Sequence, residues 1–160
     1  MIDIKDLRYG NIVKDNNPKS WSQLKDVPLK IITTGETVDF NKNTTYTASL
    51  EFIGGVTAEN CSKYGCWTSL SQFIEFIEPI PITEDLLPKI GFECEYKSKV
   101  TKRYTHKEFG QFGYDWNGEG NDDGWKFRYY GHYFKCEFLH QIQNKFYELS
   151  EPQQELEIKL

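Results

Sequence analysis

The sequence is poor in the residues on which most enzymatic chemistry depends. Histidine occurs three times in 160 residues, cysteine four times and methionine once. There is no nucleophile elbow, phosphate loop, dinucleotide fingerprint or pair of metal-binding histidines. Hydrolysis and group transfer therefore find no foothold, and the chain reads as a non-enzyme with no cofactor. No apolar run approaches the ~20 residues needed to span a bilayer. The opening Met1-Ile2-Asp3-Ile4-Lys5-Asp6 has neither the basic nor the apolar block of a secretory signal, so a cytoplasmic protein is expected. Basic excess is missing too. With 19 Lys and Arg against 24 Asp and Glu, the net charge is −5, which argues against non-specific nucleic-acid binding through phosphate neutralisation. Divided at Thr83, the chain carries 8 basic and 10 acidic residues before it and 11 and 14 from it onward. Neither half is a basic module, and an acidic surface suited to a basic partner is the natural reading.

In a reducing cytosol Cys61, Cys66, Cys94 and Cys136 remain thiols. The four-residue gap between Cys61 and Cys66 is compatible with half a zinc site, but Cys94 and Cys136 stand alone and no histidine pair completes a tetrahedral set. Four half-buried thiols and no metal is the expectation. Cys136 and His140 lie at helical spacing, yet a catalytic thiol and its base are normally brought together from distant segments and oriented by a third group. His140 is expected to bind a backbone or neighbouring strand.

Aromatic residues, in contrast, make up 16% of the chain and should dominate its core. The length suits one compact unit, with two lobes over residues 1–82 and 83–160. The first lobe reads as a bent β-sheet or partly closed barrel. Its strands are expected over residues 11–14, 31–40 with a Thr34-Gly35 turn, Thr44–Phe52 and 72–78. Gly10-Asn11 fits a tight turn, because both types tolerate positive φ. Pro79 and Pro81 interrupt pairing, and Thr83-Glu84-Asp85 has the form of a helix start, with Gly91 able to end that helix. Strands are then expected over 92–97, 100–106, 111–116 and 125–134. Phe112, Tyr114 and Trp116 share one face of a hairpin with Trp125, Phe127 and Tyr129. Leu139, Ile142, Phe146 and Leu149 form one apolar stripe on a helix over 136–149, where Gln141, Gln143 and Asn144 would cap loops or tie the helix to the first lobe. The alternating tail 155–160 suggests a last edge strand. The fold class is thus α+β.

Two stretches invite a functional reading. The run Asp115-Trp116-Asn117-Gly118-Glu119-Gly120-Asn121-Asp122-Asp123-Gly124 spaces oxygen side chains somewhat like a calcium loop of the EF-hand type. However, Lys126 stands where a bidentate glutamate belongs, and strands rather than helices flank the loop. It reads instead as an acidic hairpin tip, whose Asp115, Glu119, Asp122 and Asp123 offer carboxylates to a basic groove on a protein partner. The second stretch places Lys97, Lys99, Lys102, Arg103, His106 and Lys107 on the first hairpin, with eleven aromatics between Tyr104 and Phe134. Basic groups beside rings hold single-stranded nucleic acid by phosphate contact and stacking. Lys99, Lys102, Arg103, Tyr104, Lys107, Lys126, Arg128 and Tyr130 would form that alternative site. A solvated charged face backed by an aromatic core is the plainer reading, because the acidic tip would repel the same nucleic-acid backbone.

Three further segments carry a resemblance. Leu7-Arg8-Tyr9-Gly10-Asn11-Ile12-Val13, Ile77-Glu78-Pro79-Ile80-Pro81-Ile82-Thr83-Glu84 and Leu139-His140-Gln141-Ile142-Gln143-Asn144-Lys145-Phe146-Tyr147-Glu148-Leu149 are similar to a group of small proteins from phages, prophages and mobile elements of Bacteroidetes. The likeness covers roughly the first 14 residues, 74–92 and 136–158, and leaves 15–73 and 93–135 without a family pattern. It implies an accessory protein acting in a bacterial host cell, and carries over no cofactor or catalytic residue. The expected role is a non-enzymatic inhibitor of a host defence protein, with a CRISPR effector nuclease or its RNA complex as partner. A single-stranded nucleic-acid module and a virion or assembly component are the alternatives.

Overall fold

The computed structural model describes residues 2–18, 24, 27–38, 41–53, 57–64, 70–118 and 124–159. Two compact units divide the chain, Met1–Ile80 and Pro81–Leu160.

In the first unit, β1 (Ile12–Asp15), β2 (Pro28–Val38), β3 (Thr44–Phe52), β4 (Leu70–Phe73) and β5 (Ile77–Pro79) form one antiparallel sheet in the order β4-β3-β2-β1-β5. A short helix, α1 (Ala58–Tyr64), precedes β4; nothing in the sequence reading anticipated it. Residues 72–78, expected as one strand, are split by a 3-10 turn at Ile74–Phe76 into edge strands on opposite sides of the sheet. Three residues thus link the two edges without pairing them, so the sheet bends but does not close into a barrel. The Thr34-Gly35 turn is not formed. Thr34 pairs with Ala48 and Gly35 with Thr47 inside one long strand, because β3 supplies backbone partners along its whole length. Gly10 does take positive φ, at 88°. The adjoining Asn11 side chain fixes the turn by accepting the Arg8 N–H at 2.8 Å. Val13, Leu29, Ile31, Leu50, Phe52 and Ile77 fill the core of this unit.

The second unit is a five-stranded meander in the order β10-β9-β8-β7-β6, built from β6 (Phe92–Lys97), β7 (Thr101–His106), β8 (Phe112–Asn117), β9 (Gly124–Tyr129) and β10 (His132–Lys135). Residues 125–134 were expected as a single strand. They form instead a hairpin whose two-residue turn has positive φ at both Tyr130 (45°) and Gly131 (82°), the twist that matches flanking antiparallel strands. The expected helix after Thr83 is reduced to one turn, in which the Leu86 and Leu87 N–H groups both reach the Thr83 carbonyl, followed by a 3-10 turn at Leu87–Ile90. Pro88 has no N–H with which to continue an α-helix, and Gly91, at φ 85°, ends the turn. Helix α2 (Leu139–Leu149) starts three residues later than expected. Gln141 folds back so that its side-chain oxygen accepts from the Glu137 and Phe138 N–H groups at 2.9 and 3.2 Å, beside an extended Phe138. The tail makes no strand, although its Lys159 N–H donates to the Lys89 carbonyl.

Helix α2 packs on one face of the meander. Phe146 meets Phe112, Phe109 and His106 at centroid distances of 4.6, 5.3 and 5.3 Å. Phe112 stacks on Tyr129 and on Phe127 beside it. The expected hairpin pairing is realised, with Phe112 opposite Tyr129, Tyr114 opposite Phe127 and Trp116 opposite Trp125.

Candidate binding face of the second sheet

Strand alternation divides the meander's side chains between two faces. The inner face carries the ring stack and the side of β7 that bears Lys102, Tyr104 and His106. The outer face carries Tyr96 from β6, Arg103 and Thr105 from β7, Gly113 and Asp115 from β8, Lys126 and Arg128 from β9, and Tyr133 and Lys135 from β10. Their alignment follows from the registers Tyr96↔Arg103↔Asp115↔Lys126↔Lys135 and Thr105↔Gly113↔Arg128↔Tyr133.

At the centre of this outer face, Asp115 Oδ2 accepts one hydrogen bond and has two guanidinium nitrogens within ion-pair distance. Asp115 Oδ2 lies 3.3 Å from Arg128 Nε, 3.5 Å from Arg103 Nε and 3.3 Å from the Tyr133 hydroxyl, which donates to it. Arg128 reaches across β8 to donate from Nη2 to the Thr105 hydroxyl at 3.3 Å. It can do so because position 113 has no side chain: a Cβ there would stand 2.3 Å from Nη2 and 2.6 Å from Cζ. The guanidinium is thereby laid across a glycine and spans three strands. Asp115 and Arg128 keep only 14% and 19% of their side-chain surface exposed. Tyr96 and Tyr133, at opposite edges of the sheet, are 56% and 52% exposed.

The structure separates the basic residues that sequence had grouped. Lys102 lies on the inner side, in an ion pair with Glu84 and with its Nζ 4.8 Å above the Trp116 ring. Lys97 reaches the same glutamate at 2.5 Å. Tyr104 is buried with its hydroxyl directed at Glu84, and burial raises its pKa. Lys107 pairs with Glu93 at 2.8 Å. Lys99 sits exposed in the β6–β7 turn, and Tyr130 stands at the β9–β10 turn with its ring against Tyr129. The expected eight-residue nucleic-acid site is therefore not one surface; only Arg103, Lys126 and Arg128 share the outer face. In the acidic tip, Asp115 is the ion-pair hub just described, while Glu119, Asp122 and Asp123 lie outside the described residues.

Several of the groups with catalytic potential are packed inside the second unit. His106 is buried among Phe92, Phe109 and Phe146, and its Nδ1 accepts the backbone N–H groups of Glu108 and Phe109 at 3.3 Å each. Burial lowers its pKa. The Cys136 thiol is buried and pushed up to about 12, first by desolvation. The Tyr114 hydroxyl donates to the Cys136 carbonyl. His140 is buried, with its ring stacked on Phe138. Cys61 is half-buried and Cys94 exposed, and Cys66 falls outside the described residues. Among the described residues no group of three or more His, Cys, Asp or Glu side chains is arranged to hold a metal ion.

Sequence reasoning missed Gly113, Glu84, Tyr96 and Tyr133. For Gly113 the signal was present, since a glycine between Phe112 and Tyr114 in an aromatic strand marks a close approach. No family model matches the chain, and comparison with curated proteins and with solved structures likewise finds no match.

Proposed function

We propose that this is a phage or mobile-element accessory protein that acts by binding: an inhibitor of a host defence protein, with a CRISPR effector nuclease as its target class. One observation carries the binding reading. The histidine, thiol and phenol groups best placed for chemistry, His106, Cys136 and Tyr114, are spent inside the aromatic scaffold, whereas an ordered polar and aromatic face of the same unit is left uncovered. The phage setting follows from the three sequence segments, and the choice of a nucleic-acid-handling target follows from the acidic balance of the chain, which complements a basic channel. On this reading the tip bearing Glu119, Asp122 and Asp123 engages such a channel, or the protein binds elsewhere on the target and disturbs guide-RNA loading.

Affinity capture from an infected bacterial lysate, run with and without nuclease treatment, tests the reading. Recovery of one stoichiometric defence nuclease after nuclease treatment supports it. Recovery of nucleic acid without a protein partner rejects it.

A further inference from the structure

His106 is tied to the backbone at one nitrogen only. Its Nδ1 accepts the Glu108 and Phe109 N–H groups and so carries no proton. In the neutral ring the proton then sits on Nε2, which makes that nitrogen a donor. Nε2 has no hydrogen-bond partner among the described residues, although His106 is only 6% exposed. Buried donors are almost always satisfied, so this one calls for an acceptor. Nor is Nε2 sealed off. His106 lines a cavity of about 240 Å³ enclosed by the turn at Pro88–Gly91, the loop that follows β7, Phe146 of α2 and the C-terminal segment 154–159. Gly91 leaves the nitrogen uncovered, since a Cβ there would stand 2.6 Å from it.

The rest of the lining is apolar at one wall and charge-neutral at the rim. Phe109 and Phe146 lie edge to face at 5.3 Å and flank the His106 ring at 5.2 and 5.3 Å. Three lysines and three glutamates line the cavity, so their charges cancel. Lys107 and Lys159 are paired with Glu93 and Glu157 at 2.8 and 3.4 Å. Lys89 and Glu108 make no ion pair among the described residues. We propose that this cavity binds a small zwitterion with an apolar body, of the class of the free apolar and aromatic α-amino acids. Its carboxylate accepts a hydrogen bond from His106 Nε2 and is attracted to Lys89, its ammonium is attracted to Glu108, and its body lies against Phe109 and Phe146. The volume falls just below the ~300 Å³ at which sites for drug-sized ligands begin, which suits a molecule of this size. A simple anion would meet as many carboxylates as ammoniums. A simple amine or a hydrocarbon would leave the Nε2 proton without an acceptor. The assignment does not depend on the inhibitor reading.

The test is a titration of the isotope-labelled full chain with L-phenylalanine and with L-leucine, followed by long-range proton–nitrogen correlation of the three imidazole rings. At about pH 7.5 a histidine of lowered pKa is neutral. The His106 ring signals should shift saturably while those of His132 and His140 stay in place. Lys89→Met and Glu108→Gln, both at exposed positions, should each weaken binding about two- to fivefold, the range of an exposed ion pair. Hydrocinnamate, which lacks the ammonium, and phenethylamine, which lacks the carboxylate, should each bind more weakly than phenylalanine. The absence of a saturable His106 shift with either amino acid overturns the proposal. Hydrocinnamate binding as tightly as phenylalanine also overturns it, since the site would then read an acid alone, and so does unchanged affinity in both charge variants. Because the sample contains no host protein, failure here is distinguishable from failure of the inhibitor reading.

Discussion

The Arg128 guanidinium rests on Gly113, where any side chain would come within 2.3 Å of it. That glycine decides whether β9 can lend its arginine to β7, and so whether Asp115 is balanced by two guanidiniums or by one.

Gly113→Val should therefore expel Arg128 from its seat. The displaced group is the end of a long side chain, so the expected cost is modest for overpacking, about 1 to 2 kcal/mol. Urea unfolding followed by tryptophan fluorescence would measure it.

Asp115→Asn removes the only carboxylate that Arg103 and Arg128 share among the described residues. Asp115 and Arg128 are largely but not fully buried, whereas Arg103 is half exposed, so the loss should be about 1 to 3 kcal/mol, mainly from the Arg128 guanidinium left without its partner. The chemical-denaturation midpoint should fall, and the additional substitution Arg128→Met should restore part of the loss. A double-mutant cycle reads the coupling.

His106 sets a dependence on pH. Its Nδ1 accepts two backbone N–H groups and its ring is buried against Phe92 and Phe146, so the folded state holds it neutral and its pKa below the ordinary value; Glu108 opposes that shift only in part. Below the unfolded pKa of about 6.5 the unfolded chain binds more protons than the folded one. Stability is thus fully present above about pH 6.5, and falls as pH drops towards the lowered folded value. Thermal melts between pH 7 and 5 should show that decline, and His106→Gln should flatten it while lowering the baseline.

Thiol reactivity should follow burial. Cys136 is 1% exposed with a pKa of about 12, whereas Cys94 lies exposed on β6. Iodoacetamide at mildly alkaline pH should label Cys94 and spare Cys136 until denaturant is added, because the thiolate is the reacting species. Mass spectrometry of the peptides decides the order. Labelling of native Cys136 at the rate of Cys94 would mean that α2 does not cover it.

The meander was legible in the sequence because its period-two aromatics put every ring of a strand on one side. Phe112, Tyr114 and Trp116 face the same side as Trp125, Phe127 and Tyr129, and the folded chain selects the register that pairs them one to one. The first sheet was less legible. The turn at Ile74–Phe76 lies inside an apolar run whose alternation gives no sign of a break, and Gly35 has the local look of a turn but is held extended by its partner Thr47. Site residues fared worse for a related reason. Proximity along the chain grouped Lys102 with Arg103, whereas strand alternation sends adjacent residues to opposite faces. Glu84 neutralises Lys97 and Lys102 from outside the sheet altogether, a relationship that only the folded chain contains.

The most direct measurement is target cleavage by a reconstituted RNA-guided effector nuclease from a Bacteroidetes host, with the purified protein added either before or after guide loading. Inhibition at near-stoichiometric protein when it is added first, weakened by Asp122→Lys combined with Asp123→Lys, is the expected result. Undiminished cleavage in both orders of addition, with no complex on size-exclusion chromatography across a panel of such nucleases, would show that the protein is not an inhibitor of this class.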